Sequence, residues 1–437
     1  MELSQRLRSI DETARKALAP VFAEFDRISE ENTEKVLRSF AKHRVSDSMF
    51  AGSTGYGYTD NGRDALDKIY ADVFGAEAAF CRHSIVNGTH AISIALFGLL
   101  RPGDVMLSIT GRPYDTLSDV IGDRTHDGTG SLADFGVEYD ETELKDGGVD
   151  YPTALEKINK YGDRIKVIFI QRSKGYGIRP TFSAEEIGEM ARFCHENSKA
   201  YVVVDNCYGE FCDEKEPTDF GADVIVGSLI KNPGGGMANC GGYVAGTAKA
   251  VELISYRLTT VGIGTEVGAT IGENRNLFRG FFLAPHVVAQ AKKTAAYASY
   301  VFSALGYEVS PSYDCDRHDI IQTVTFGTAE GLCAFCRGIQ AGSPVDAFVT
   351  PEPWAMPGYA DENLSAAVFR MMNVPVVPAT GLKGHVGNRH AHITQGAQIT
   401  GPAEILPGHR VGTALREQIV KFLIHIIRPL ISTCRHR

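Results

Sequence analysis

Two short apolar runs, Val202-Val203-Val204 and Val224-Ile225-Val226, constrain this chain more than any other feature. Both are β-branched throughout and closed by polar residues, the profile of strands buried in a parallel sheet. The first run ends in Asp205, the second in Gly227-Ser228-Leu229-Ile230-Lys231. In open α/β sheets, ligands bind beyond the carboxyl ends of the strands. The fold therefore delivers an aspartate and a lysine, 26 residues apart in sequence, to the edge where chemistry takes place.

Taken singly, a lysine after a strand is a solvated end charge and an aspartate there is a helix N-cap. Here Lys231 lies between Ser228 and the run Asn232-Pro233-Gly234-Gly235-Gly236, which permits tight turning and close backbone approach. That combination is what a pyridoxal 5'-phosphate site requires. The lysine forms the Schiff base, and the aspartate keeps the pyridinium nitrogen protonated so that the ring withdraws electrons. Desolvation and nearby cationic charge are expected to lower the Lys231 pKa until it serves as a base.

At 437 residues the chain exceeds what one hydrophobic core usually serves, so two domains are expected. A 43% hydrophobic, 22% charged composition is that of an ordinary soluble globular protein. The net charge of −9 argues against a nucleic-acid partner. The stretch MELSQRLRSIDETARKAL has no apolar signal-peptide core, and no apolar run reaches membrane-span length. Nine scattered cysteines, an odd number, fit free thiols in a reducing cytoplasm. Cys333-x-x-Cys336 has no second pair at zinc-site spacing and reads as structural.

Leu3, Leu7, Ile10, Ala14, Leu18, Phe22 and Phe25 recur at helical steps, and Glu31–Phe40 forms a second helical segment. Together they predict an N-terminal helical arm over 1–45. A loop rich in glycine follows, with Tyr56, Tyr58 and Arg63. It reads either as an irregular connection or as a phosphate- or carboxylate-binding loop. Asn87-Gly88-Thr89 opens a helix that continues through Leu100, whose free N–H groups suit an anion. Tyr114 follows the strand Val105–Ile109, placed either to lie flat on a cofactor ring or to face solvent in a turn. Ile165–Ile170 is a further strand, and Ser183 with Glu186 has capping-box spacing. This alternation predicts a large α/β domain over 46–284 around a mixed, mostly parallel sheet flanked by helices. A smaller α+β domain is expected over 285–437, with helices His286–Leu305 and Leu332–Gln340 and a strand Gln322–Phe326.

The segments STGYGYTDNGRDALD, NGTHAI, TGRPYDTL, VDNCYGEF and GSLIKNPGGG…GGYVAG together resemble the methionine γ-lyase-like proteins. These are also called aluminium-resistance or cystathionine β-lyase-like proteins, and they belong to the fold-type-I pyridoxal-phosphate enzymes. The resemblance runs from about Leu18 to about Gly358. It implies Lys231 as the Schiff-base lysine, Asp205 as the pyridinium partner, and phosphate contacts from Gly88, Thr89 and Ser228. It also implies Tyr114 stacked on the ring, and Tyr56 or Tyr58 reaching the cofactor of a neighbouring subunit in a homodimer or homotetramer. The implied activity is carbon–sulfur elimination from a sulfur-containing amino acid, with Tyr114 an acid–base partner. Aminotransferase or aldolase chemistry, or a catalytically silent stress-response protein, are the alternatives on the same fold. A carboxylate-binding arginine is expected among Arg172, Arg179 and Arg257.

The chain departs from the family pattern at residues 363–437, which hold nine Lys/Arg, two Asp/Glu and six of the 13 His. We read this as a C-terminus altered by a frameshift, the alternative being a genuine divergent tail. His385, His390 and His392 are then explained without a metal site.

Overall fold

The computed structural model describes residues 3–122, 128–175, 179–342, 348–355, 362–365, 383–385 and 390–393. The chain forms two compact units, one made of Met1–Arg27 with Val287–Arg437 and the other of Ile28–His286. The N-terminal arm is divided at Arg27 between the two units rather than standing apart.

Helix α1 is continuous over Leu3–Lys42, where the periodicity predicted two segments. The apolar stripe lapses between Ile28 and Val36, but no glycine or proline there breaks the backbone. Buried Asn32 donates to the Ile28 carbonyl (3.1 Å) and to the Asp213 carbonyl (2.9 Å), fixing the helix's second half on the larger unit.

The larger unit continues with α2 (Asn61–Val73), β1 (Ala78–Arg82), α3 (Gly88–Leu99), β2 (Val105–Ser108), α4 (Asp115–Ile121) and β3 (Glu138–Glu141). A small hairpin, β4 (Leu144–Lys145) and β5 (Gly148–Val149), leads to α5 (Tyr151–Tyr161) and β6 (Ile165–Gln171). Next come α6 (Ala184–Asn197), β7 (Tyr201–Asp205), β8 (Val224–Ser228), β9 (Gly242–Gly246), α7 (Ala248–Leu258) and the start of α8 (Asn274–Ala304). Seven strands form one sheet in the order β1-β9-β8-β7-β6-β2-β3. Strands β8, β7, β6, β2 and β3 are parallel, and β9 runs antiparallel to both β8 and β1. This is the mixed, mostly parallel α/β sheet of the fold-type-I enzymes.

Val203, Val224, Val226 and Phe169 are buried in the core that α3 and α7 cover. Each such side chain contributes about 1.5–3 kcal/mol through its removal from water. At Gly98 of α3, a Cβ would come within 2.7 Å of the Ile254 Cα on α7, so only glycine permits that close helix crossing. The Ser183–Glu186 capping box opens α6 with both of its hydrogen bonds, 3.1 Å and 2.8 Å.

The smaller unit holds the rest of α8, then β10 (Glu308–Ser310), β11 (Gln322–Thr325), α9 (Ala329–Gly342), β12 (Trp354–Ala355), β13 (Glu362–Ser365), β14 (Lys383–His385) and β15 (His390–Ile393). Its antiparallel sheet has the order β10-β11-β15-β14-β13-β12. Phe302, Phe326 and Phe335 pack with Leu7 in its core. Cys333 and Cys336 lie on α9 as free thiols. Strands β13–β15 occupy the start of the compositionally distinct tail. The remainder, on which the frameshift reading also rests, falls outside the described residues. Among the described residues no helix is long and apolar enough to cross a membrane.

Candidate active site

Register aligns Asp205 with Gln171 on β6 and with Val226 on β8, so β6 and β7 end level while β8 runs on to Ser228. Asp205 is 8% exposed, and its Oδ1 accepts the Cys207 amide at 3.1 Å. Beyond it the chain coils tightly, with Gly209 N donating to the Asn206 carbonyl and Cys212 N to the Gly209 carbonyl. Tyr208 and Phe211 hold left-handed backbone angles in this coil, φ 72° and 61°. Such geometry costs on the order of 1–3 kcal/mol per residue and gathers at functional sites.

The coil sets the Tyr208 ring 4.0 Å from Lys231 Nζ, on the turn after β8. Burial lowers the Lys231 pKa, but Cys207, Tyr208, Asp205 and Glu210 outweigh it and hold the ammonium above its ordinary value. The expectation that neighbouring cations would depress this pKa is therefore corrected. The groups around Lys231 are acidic, and in the ligand-free protein it carries its proton.

Gly88, at the first turn of α3, faces Ser228 and Cys207. A Cβ there would lie 3.4 Å from the Ser228 Cβ and 3.1 Å from the Cys207 Sγ. Asn87 caps the helix by accepting the His90 amide at 2.9 Å. Thr89 Oγ1 pairs with Thr116 Oγ1 at 2.7 Å. The Ser228 hydroxyl is buried and has no hydrogen-bond partner among the described residues. An orphaned hydroxyl costs about 1–3 kcal/mol when nothing meets it. Set beside a helix N-terminus and a glycine, it is a fitting host for a phosphate group. With Lys231 and Asp205 at the same edge, the residues present fit pyridoxal 5'-phosphate.

Tyr114, half-buried at the start of α4, donates its amide to Gln171 Oε1 at 2.6 Å. Gly175 passes beside its ring with a left-handed φ of 55°. Tyr114 is thus tied to the strand end that carries Gln171, the register partner of Asp205.

The three arginines separate clearly. Arg172 is fully buried, and Nη1 donates to Asn206 Oδ1 (2.7 Å) and Glu216 Oε2 (3.1 Å), while Nη2 donates to Asp213 Oδ2 (2.6 Å). It belongs to the scaffold, because those carboxylates already occupy its fork. Arg179 donates to the carbonyls of Gln171 (2.7 Å), Ser173 (2.9 Å) and Pro180 (2.8 Å), bracing the strand end. Arg257 is exposed and donates to the Phe97 carbonyl at 3.3 Å. Phe97 lies about 13 Å along α3 from Gly88 at helical rise, so Arg257 stands at the far end of that helix from the site.

Arg63 is also committed to structure, donating to the carbonyls of Gly57 (2.7 Å) and Gly268 (3.1 Å). The loop it pins presents Tyr56 and Tyr58 outward, 79% and 61% exposed, with ring centroids 5.9 Å apart.

Glu210, Asn206 and Tyr243 were not singled out from sequence. Asn206 Nδ2 donates to Glu216 Oε2 (3.0 Å) and to the Tyr243 hydroxyl (3.3 Å), and that hydroxyl donates to Glu210 Oε1 (3.0 Å). The signal that could have found Asn206 and Glu210 is the density of polar residues in DNCYGE, directly after a fully apolar strand; Tyr243 lies on another strand and carries no such signal.

A family model described as methionine gamma-lyase matches residues 7–371. The Bacillus subtilis (strain 168) protein YnbB is 52% identical over 352 residues, covering 80% of this chain and 83% of that protein. A solved carbon-sulfur lyase involved in aluminum resistance from Clostridium novyi NT is 40% identical. It superposes with a TM-score of 0.87 over 97% of this chain and 96% of its own. Apo CalE6, a methionine gamma lyase from Micromonospora echinospora, shares the fold, with a TM-score of 0.54 at 18% identity over 85% of this chain and 92% of its own.

Proposed function

Because the chain belongs to the methionine gamma-lyase family, we propose that it is a pyridoxal-phosphate-dependent carbon–sulfur lyase acting on a sulfur-containing amino acid. The observation that carries this reading is the buried, unpartnered Ser228 hydroxyl facing Gly88, on the turn that leads to Lys231. Gly88, Thr89 and Ser228 would hold the phosphate, Asp205 the ring nitrogen, and Lys231 the reactive carbonyl carbon. The cofactor, when bound, supplies an electron sink that stabilises negative charge at the substrate's α carbon.

The chain's own residues supply proton handling and position. Lys231 Nζ must give up its proton to act as nucleophile and then as base at the α carbon. The Asp205 carboxylate, held by the Cys207 amide, presents negative charge where a ring nitrogen needs to stay protonated. Tyr114 is the group we assign to deliver a proton to the departing thiolate, its backbone fixed by Gln171. The outward-facing Tyr56 and Tyr58 fit a homo-oligomer in which each subunit completes its neighbour's site. A cytoplasmic setting agrees with free thiols throughout the described residues.

The test is a visible spectrum of the protein with added pyridoxal 5'-phosphate. We expect an absorption band that borohydride abolishes and that Lys231→Ala lacks. A wild type that stays colourless sinks the reading. An amino-acid panel scored for keto acid with ammonia and thiol then separates elimination from transamination or aldol cleavage, which release no thiol.

A further inference from the structure

Glu210 is a buried carboxyl group that the chemistry above leaves without a role. It is fully buried on the coil after β7. Oε1 accepts from the Tyr243 hydroxyl at 3.0 Å, and Oε2 has no hydrogen-bond partner among the described residues. Its backbone carbonyl accepts the Asn232 amide group at 3.0 Å. Glu210 therefore touches the residue after Lys231 directly, and through Tyr243 it reaches Asn206, the residue after Asp205. Gly227, just before Ser228, has no side chain because a Cβ would lie 2.4 Å from Glu210 Oε1. The carboxyl group is thus wedged beneath the reactive strand ends.

We propose that Glu210 is a positioning residue held as a neutral carboxylic acid, and that its neutrality removes one of the charges that hold the proton on Lys231. A buried carboxylate with one oxygen unmet pays the full cost of desolvation, whereas the protonated acid does not. Burial accordingly pushes the Glu210 pKa up to about 8, helped by the Glu216 charge and opposed by its own amide, the Tyr243 hydroxyl and Lys231. Tyr70, Arg172 and Cys207 also feel its charge. The coupling to Lys231 is mutual, because an ionised Glu210 holds the proton on the ammonium. Below the Glu210 pKa only this part of the restraint is absent, and Cys207, Tyr208 and Asp205 still act on Lys231; above it Glu210 adds its share.

The inference rests on Lys231 as the reactive lysine, and its test uses the ligand-free protein, so the two readings fail separately. Carbamylation of Lys231 by cyanate, followed by mass spectrometry across pH, reads the free-amine fraction. Wild type and Glu210→Gln are expected to react alike near neutrality. Above the Glu210 pKa the variant should become several-fold faster. Coincident profiles at all pH values overturn the proposal. A second measurement needs no variant, namely carbon-13 carboxyl NMR of the wild type. A buried glutamate signal titrating near pH 8 supports it, and every glutamate titrating in the ordinary carboxylate range overturns it. Spectral formation of a cofactor complex is scored apart from both, so a protein that ignores pyridoxal 5'-phosphate refutes the lyase reading without touching this one.

Discussion

Two cations stand past the ends of nearby strands in one sheet, and their surroundings are opposite. Arg172, after β6, meets an acceptor at each nitrogen of its fork, with Asn206, Glu216, Asp213 and the Phe182 carbonyl closing around it. Lys231, after β8, rests on the Tyr208 ring, and the acids near it act through charge rather than through hydrogen bonds. The first cation is spent on holding the coil that follows β7. The second keeps its bonding capacity in reserve. A residue's type and its place at a strand end do not distinguish structure from chemistry, but the state of its hydrogen bonds does.

Substitutions can break this contrast. Arg172→Ala should cost about 3–5 kcal/mol in urea unfolding, because it strands Asp213 and the buried Glu216 without their partner. Lys231→Ala should leave stability within about 1 kcal/mol of wild type, and equal losses from the two would void the distinction. Glu210 sharpens it through pH. Its folded pKa of about 8 lies above the ordinary 4.5. Its contribution to stability is therefore fully present below pH 4.5, declines as pH rises, and is gone above about 8. Glu210→Gln should remove that decline, worth up to about 5 kcal/mol across the window, as chemical denaturation at several pH values would show. Gly88→Ala narrows the space against Cys207 and Ser228. It should weaken phosphate or cofactor binding about tenfold, or ~1.4 kcal/mol, in a fluorescence titration. Arg257→Ala, at the exposed end of α7, should change neither stability nor binding by more than about 0.5 kcal/mol.

The placement of Asp205 and Lys231 at one edge of the sheet was legible because local patterns carry it: each follows a β-branched run, and parallel strands place such closures along one edge. The Ser183 capping box was legible for the same reason, since its partners lie three residues apart. Arg172, Arg179 and Arg257 were indistinguishable beforehand because their partners are not local. Arg172 finds Asp213 and Glu216, 41 and 44 residues away, and Arg257 finds Phe97, 160 residues away. Helix α1 was divided in two because a gap in its apolar stripe resembles a break. Propensity without glycine or proline carries the backbone through such a gap. Glu210 was missed because its side-chain partner, Tyr243, lies 33 residues away.

The lone Ser228 hydroxyl has a consequence for the protein's lifetime. If the proposed cofactor meets this hydroxyl, the folded protein is stabilised by an amount that grows with the concentration of that cofactor. Proteases cut the opened chain. Survival under limited proteolysis therefore becomes a gauge of cofactor supply. A cell short of the cofactor would hold fewer molecules of this protein as well as less active ones.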